Sequence, residues 1–389
     1  MNSPDRIVIV GAGLGGLALA LALAQRGRSV TVVEQARQLG EVGAGLTLSS
    51  GAMRCLEVLG LTAEVEQRSA ASSNLPFVHF RTGALLRAGL DANKTRPASA
   101  RVARQIHRAD LHGILQQALT RIAPDAIVTN WPFAKFDASN GGVQVYSSRG
   151  DCIDGGLLIG CDGVRSAVRN QLMGEQPVRF LGQVAYRCLV PMSLARPLVA
   201  SESGKVFLGP GRTFNRYPLR NGAVMNCVGL AKTAAWRDEG WNTPATSEDF
   251  LAEFADWHPE VTGLIRAAPP AGIIKWALCG RDPLPRWSQG PVALLGDAAH
   301  PLLPFLGLGA AMAIEDGIIL ARALTQYPDG ESALAAYEHA RRPRTDRVAQ
   351  ASAWQGELSQ QLDPDHYSSA PSPAHDPEYF DYDPLTVAL

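Results

Sequence analysis

Residues 7 to 16 read Ile-Val-Ile-Val-Gly-Ala-Gly-Leu-Gly-Gly, an apolar β-branched run broken by glycines at 11, 13, 15 and 16. That order leaves few folds open. Four apolar residues in succession suit a strand buried on both faces of a parallel sheet. Leu14 to Arg26 then has helical texture, Gly27 stops it, and Ser29 to Val33 supplies the next strand, closing at Glu34. The unit is βαβ, with GxGxxG at its first turn and an acid 23 positions after the first glycine. Gly11 makes the turn, Gly13 lets the backbone approach a pyrophosphate at the positive helix end, Gly16 permits close packing, and Glu34 accepts ribose hydroxyls. The same residues also admit a glycine-rich turn that merely fits a tight helix–strand contact. They do not separate NAD from FAD.

Ile7 to Ala24 is uncharged and follows Arg6, so it imitates a secretion signal or a membrane span. The glycines cut it into a strand and a helix, each too short to cross a bilayer. Thirty-six basic against thirty-seven acidic side chains leave a charge of −1, which gives no global field for nucleic acid or a membrane surface. The six cysteines, at 55, 152, 161, 188, 227 and 279, show neither CxxC nor a Cys/His ligand spacing. Reduced thiols, no metal site and a cytoplasmic location are expected. With 46% apolar and 19% charged residues the chain has a sizeable core available.

Further along, helices are expected from about Gly51 to Leu59 and Ala109 to Ile122, with residues 70 to 104 irregular between them. Asn140-Gly141-Gly142 predicts a hairpin joining Phe133–Phe136 to Val143–Tyr146. Leu157 to Ile159 is another buried strand. From 181 to 280 short alternating runs rich in Phe, Tyr and Trp indicate an inserted mixed sheet with covering helices. Trp236, Trp241, Trp257 and Trp276 read as core. Val292 to Leu295 returns to the first texture, and helices follow over Ala310–Thr325, Glu331–Arg342 and Thr345–Gln361. Residues 363 to 389 carry five prolines and several acids, so they form an extended arm or a disordered tail.

Two more constellations sit at strand ends, where open α/β sheets bind ligands. Gly160-Cys161-Asp162-Gly163-Val164-Arg165-Ser166 places a carboxylate and an arginine there; alternatively it is a turn, with Arg165 and Arg169 on a solvated helix face. Leu294-Leu295-Gly296-Asp297-Ala298-Ala299-His300-Pro301 is followed by Pro304 and by Gly307-Leu308-Gly309 opening a helix. Asp297 can hold a polyhydroxyl chain, and amides at 307 to 310 can face a delocalised anion such as a reduced flavin. The other reading is a proline-fixed loop with a satisfied Asp cap.

These three motifs in this order resemble the FAD-dependent aromatic hydroxylases of the single-component flavoprotein monooxygenase family. Matching segments also include Gly43-Ala44-Gly45, Ile106 to His112, Tyr186-Arg187 and Ala313 to Asp316, so the likeness covers roughly residues 5 to 355. It implies a Rossmann-like three-layer FAD-binding domain of α/β class, an inserted mixed β-sheet substrate domain, and C-terminal helices. The expected boundaries are 1–75, 100–180 and 281–325 for the FAD part, 76–99 and 181–280 for the substrate part, 326–362 for the helices and 363–389 for the tail. It also implies FAD contacts from Gly11, Gly13, Leu14, Gly15, Gly16, Glu34, Gln35, Ala44, Gly45, Arg108, Asp162, Arg165, Asp297, Pro304, Gly307, Leu308 and Gly309. Asp162 and Arg165 belong to a motif linked to nicotinamide-nucleotide binding as well.

The chemistry so implied is reduction of FAD by NADH or NADPH, addition of O2 to give a flavin C4a-hydroperoxide, and oxygen transfer to a small phenolic or hydroxypyridine-type acid. Loss of a carboxylate accompanies it where one occupies the attacked carbon. Tyr217 is the candidate for orienting or deprotonating a ring hydroxyl, the other reading being a core tyrosine. Several relatives carry a histidine shortly before that segment, where this chain has Thr213 to Arg216. Thr47 lies in a segment that can line the pocket, and Arg187, Arg212 or Arg216 can hold an aromatic carboxylate by a bidentate pair. His300 is expected to make a structural hydrogen bond. Alternatives are epoxidation or reduction of a more apolar substrate, a flavin-binding redox sensor or carrier, and a nucleotide-binding structural module. A monomer or homodimer is expected.

Overall fold

The computed structural model describes residues 5–40, 43, 45–72, 75–89, 101–139, 141–236 and 243–389. Ala44, Trp241, the hairpin's Asn140 and the stretch 90–99 lie outside these residues. The glycine motif sits where the sequence puts it. Ile7–Val10 is a strand buried along its whole length, paired in parallel with Val30–Val33 on one side and Leu157–Gly160 on the other. Val292–Leu294 continues the sheet in parallel beyond Leu157–Gly160, and the six strands run Ser288–Gln289, Val292–Leu294, Leu157–Gly160, Ile7–Val10, Val30–Val33, Ile127–Val128. The helix Leu14–Gln25 is apolar all round and is buried from Leu14 to Leu23 against the sheet and the helices Arg108–Ile122 and Gly309–Gln326. Gly11 has φ +105, and a Cβ there would lie 2.5 Å from the Cys161 carbonyl oxygen, so both conformation and space demand glycine.

A second sheet of eight strands runs Thr243–Pro244, Ile274–Gly280, Arg179–Pro191, Val224–Lys232, Arg212–Leu219, Lys205–Gly209, Phe77–His79, Leu85–Arg87. Its two faces separate by the period-two rule. Phe207, Phe214 and Tyr186 pack under the helices Ser247–Phe254 and Pro259–Ala267, with Phe250, Phe254 and Trp257. Thr213, Asn215, Tyr217 and Arg187 emerge on the other side. On that side the strand Arg212–Leu219 faces a three-stranded sheet of Gly45–Leu48, Arg104–His107 and Ser69–Ala71.

Several expectations need correction. The stretch 70–104 is not simply irregular: Phe77–His79 and Leu85–Arg87 form the last two strands of the second sheet, three residues each, too short to show a periodicity. The two helices expected over 331–361 are one, Gly330–Ser359, with Pro343 inside. Proline loses its own hydrogen bond there and crowds the carbonyl four residues back, but burial of Arg341, Arg344, Thr345 and Val348 on both sides offsets that cost and one helix runs through. Trp276 is half-buried and faces the second sheet's open side, while Trp257 is core as expected. Residues 363–389 run over the body as an arm of short 3-10 turns at Pro364–Ser368, Pro373–His375 and Pro377–Tyr379. Among the described residues no helix is long and apolar enough to cross a membrane.

Candidate active site

One cavity of about 610 Å3 extends from the glycine loop to the open face of the second sheet. It brings together Gly13 to Gly16, Gly45, Thr47, Arg108, Arg187, Tyr217, Asp297, Pro304, Gly307 and Gly309 from the expected set. Gly11, Glu34, Gln35, Asp162, Arg165 and Leu308 lie outside that lining.

Two helix N-termini open on this one cavity, those of Leu14–Gln25 and Gly309–Gln326. Neither has a side-chain cap or an acid in its first turn. Their first amides therefore present partial positive charge to the cavity. Gly13, at the first of them, has φ −71 and nothing within 4 Å of where a Cβ would stand. Beside this end, Glu34 accepts the Ala12 and Ala36 amides at 3.0 and 2.9 Å, which fixes the carboxylate and leaves it further acceptor capacity. This donor set fits a dinucleotide such as FAD: anion-seeking amides at two points, with hydroxyl acceptors between them and at one end.

Asp297 follows the strand Val292–Leu294 on a 3-10 turn. The surface it exposes belongs to the cavity. Burial by the surrounding protein pushes its carboxyl above the ordinary range, with His300 and Arg108 pulling it back. The turn is held from beneath by a buried polar network. Asp316 accepts the Gly296 amide at 3.1 Å, His300 Nε2 at 2.7 Å and Arg341 Nε at 2.6 Å, and Arg341 also binds Glu315 at 3.1 Å. Burial opposes the charge on Asp316, but His300 and Arg341 more than offset it and hold the carboxyl below its usual value. His300 thus has the structural hydrogen bond expected of it.

Arg169 holds the same turn from the side. It is wholly buried and donates to the carbonyls of Ala298, Ala299 and Asp282 at 3.1, 3.3 and 2.6 Å. The solvated reading of Arg169 is therefore corrected: only Arg165 is exposed. Asp162 accepts the Ala167 and Val168 amides at 2.8 and 3.1 Å and the Ser166 hydroxyl, closing the start of the helix Ala167–Met173. The second motif thus anchors the third. We expect Arg169→Met to lower flavin affinity about 10-fold by loosening the Asp297 turn, measured by flavin titration; unchanged affinity would count against this link.

On the sheet side, Arg187 is 9% exposed and lies 5.4 Å over the Trp276 ring. Among the described residues no carboxylate pairs with it. Burial drops its guanidinium to about 10, with the nearby Tyr217 hydroxyl raising it slightly. Arg212 and Arg216 differ: they are paired with Glu253 and Glu260, the latter on the helix-covered face, and neither lines the cavity. Tyr217 is also buried, which pushes its phenol well up, and Arg187 offsets this only in part. Its ring rests on Gly45, where a Cβ would lie 2.5 Å from Cε2. Thr47 is beside Gly307, 3.9 Å from where a Cβ of that glycine would stand.

The sequence did not single out Gln105, Asn215 or the arm. Gln105 and Asn215 line the cavity, and Gln105 Nε2 and Asn215 Oδ1 have no partner among the described residues. The signal available was position: Gln105 pairs across from Thr47, and Asn215 is two residues before Tyr217 on one strand face.

A family model described as "FAD binding domain" matches residues 5–352. The 3-hydroxybenzoate 6-hydroxylase 1 of Aquipseudomonas alcaligenes is 35% identical over 344 residues, covering 88% of this chain and 86% of that enzyme. The 6-hydroxynicotinate 3-monooxygenase of Pseudomonas fluorescens is 32% identical over 361 residues, covering 90% and 91%. A salicylate hydroxylase solved as a substrate complex superposes with a TM-score of 0.79 at 25% identity, covering 94% of this chain and 91% of that one.

Proposed function

This chain belongs to the FAD binding domain family and is an FAD-dependent monooxygenase of the aromatic-hydroxylase type, and from that premise we propose that it hydroxylates a small phenolic or hydroxypyridine-type acid. The balance is ring C–H, NAD(P)H, a proton and O2 to ring C–OH, NAD(P)+ and water. FAD, when bound, takes the hydride from NAD(P)H and activates O2. The observation that supports an acid is Arg187, a buried cation on the cavity wall with no ion-pair partner among the described residues. A substrate carboxylate supplies the missing counter-charge by a bidentate pair.

Tyr217 acts beside it. Its phenol is protonated at neutral pH, and burial raises it further, so its hydroxyl donates to the ring hydroxyl oxygen and orients it, favouring loss of the substrate's proton. Thr47 flanks the same space. Gly13 to Gly16, Glu34, Gly45, Arg108, Asp297 and the amides of 307 to 310 hold FAD in this reading, which assigns Asp162 and Arg165 to the motif shared between FAD and NAD(P)H. The reduced thiols fit a cytoplasmic enzyme.

The direct test is turnover of hydroxybenzoates and hydroxynicotinates under labelled dioxygen. One labelled oxygen per product molecule is expected; product without label removes the hydroxylase reading in favour of reduction. Tyr217→Phe should lower kcat on the order of 10²-fold while leaving substrate Kd within a few-fold, because it removes a reacting-hydroxyl contact and keeps the ring. An unchanged kcat would return Tyr217 to the core.

A further inference from the structure

The family match ends at residue 352, yet the arm beyond it reaches the cavity: Ala374, His375, Pro377, Phe380 and Asp381 are part of the wall. The arm is fastened at both ends through its own backbone. Arg87, on the edge strand Leu85–Arg87 of the second sheet, donates to the carbonyl oxygens of Ser368 at 3.1 Å and Ala370 at 2.5 Å. Arg344 donates to those of Tyr379 at 2.6 Å and Glu378 at 3.3 Å, and Arg322 to Pro384 at 2.7 Å and Val387 at 3.0 Å. Arg344 and Arg322 sit on the two long helices over the nucleotide-binding layer. Arginine forks suit this task, because a segment without sheet or α-helix leaves its carbonyls unpaired. Tyr367, buried and stacked on Phe77 at 4.8 Å, adds an apolar anchor, and its hydroxyl bonds Gln355 and Ser372 at 3.0 and 2.9 Å.

Strand register shows which end of the cavity the arm covers. The His375 ring lies 5.1 Å from that of Phe77, with Nδ1 at 3.2 Å from Ser372 Oγ and Nε2 at 3.2 Å from the Ala88 carbonyl. Phe77 is directly opposite Val206, Val206 is opposite Asn215, and Asn215 is two residues from Tyr217 on the same face. His375 therefore stands at the sheet end of the cavity, toward Asn215 and Tyr217, while Phe380 packs on the core of the nucleotide-binding layer and closes the same wall from that side.

We propose that the arm is this enzyme's specificity wall, with Phe380 and His375 setting the size of ring that fits and keeping water from the site during turnover. The proposal rests on the hydroxylase reading. Water exclusion governs coupling. In a coupled cycle one oxygen atom enters the ring and the other leaves as water. In an uncoupled one NAD(P)H, a proton and O2 give NAD(P)+ and hydrogen peroxide, and the ring is unchanged.

The test compares the FAD-loaded parent with Phe380→Ala, His375→Ala and the control Glu378→Gln, whose side chain pairs with Arg347 at the surface. Product formed per NAD(P)H should fall at least about threefold in the first two, peroxide making up the balance, and bulkier aromatic acids should be accepted. The control should match the parent. Should Phe380→Ala fail to fold, Phe380→Leu and His375→Asn carry the same comparison. Iodide quenching of bound-flavin fluorescence provides a readout that needs no substrate: it should rise at least about twofold on opening the wall. Coupling, substrate range and quenching all equal to the parent would overturn the proposal while leaving the hydroxylase reading intact. A parent that hydroxylates no aromatic acid would refute that reading, and the quenching result then decides the wall alone.

Discussion

Gly13→Val is expected to leave the flavin-free protein nearly as stable as the parent while weakening FAD binding by at least about 100-fold, or 2.7 kcal/mol. The backbone at 13 is extended enough for any residue, and a Cβ there meets nothing within 4 Å. The only cost to the fold is a poorer cap residue, about 1 kcal/mol. What the valine does occupy is the space in front of the first amides of Leu14–Gln25, where a pyrophosphate must come within hydrogen-bond distance. Gly16 behaves oppositely. A Cβ at 16 would collide with the Gly11 carbonyl oxygen and stand 3.3 Å from Cys161 Cβ, so Gly16→Ala damages the fold before it affects any ligand. Thermal melts of deflavinated protein and flavin titrations by absorbance distinguish the two. If Gly13→Val retains FAD with parental affinity, the glycine loop is not the phosphate seat.

Arg187→Met should have two effects of opposite sign. Without substrate it stabilises the protein by up to roughly 3 kcal/mol, because burial holds the charged guanidinium well below its ordinary value, at about 10, and that displacement is a free-energy penalty. The folded state binds this proton more weakly than the unfolded chain. The penalty is therefore fully present below about pH 10 and is relieved as pH rises from there toward the ordinary guanidinium value, the window in which stability gains from this group. With substrate the loss is large. Removing one partner of a buried charge pair should raise the Kd of an aromatic acid by about 10²- to 10³-fold, and leave that of the matching primary amide within a few-fold. In the parent, acid binding should be flat from about pH 6 to 9 and weaken above about 10 as Arg187 loses its proton. An acid-to-amide preference that survives in Arg187→Met would show that the carboxylate is held elsewhere.

Much of the nucleotide-binding layer was legible because its chemistry is local. Ile7–Val10, the turn at Gly11 and Glu34 lie within one βαβ unit, where backbone sterics and period alone fix the outcome. The substrate side was only partly legible. Arg187, Arg212 and Arg216 are indistinguishable as letters, and only tertiary placement pairs two of them with Glu253 and Glu260 and leaves the third on the cavity. Gln105 and Asn215 come from strands 110 residues apart, so no spacing announces them. The arm was least legible. Its proline-rich composition leaves an extended arm and a disordered tail equally open, and its anchors are arginines on distant elements whose partners are backbone carbonyls common to every sequence.

The seating of Tyr217 on Gly45 has a consequence for anyone recombining these enzymes. The phenol edge of one sheet rests against bare backbone of another, and the Gly45 amide reaches across to Asn226 Oδ1 at 3.2 Å. A chimera that imports a foreign second sheet must therefore import its matching residue at 45 too, since a single methyl there would wedge the two halves apart. Modular exchange here works by paired positions, not by whole segments.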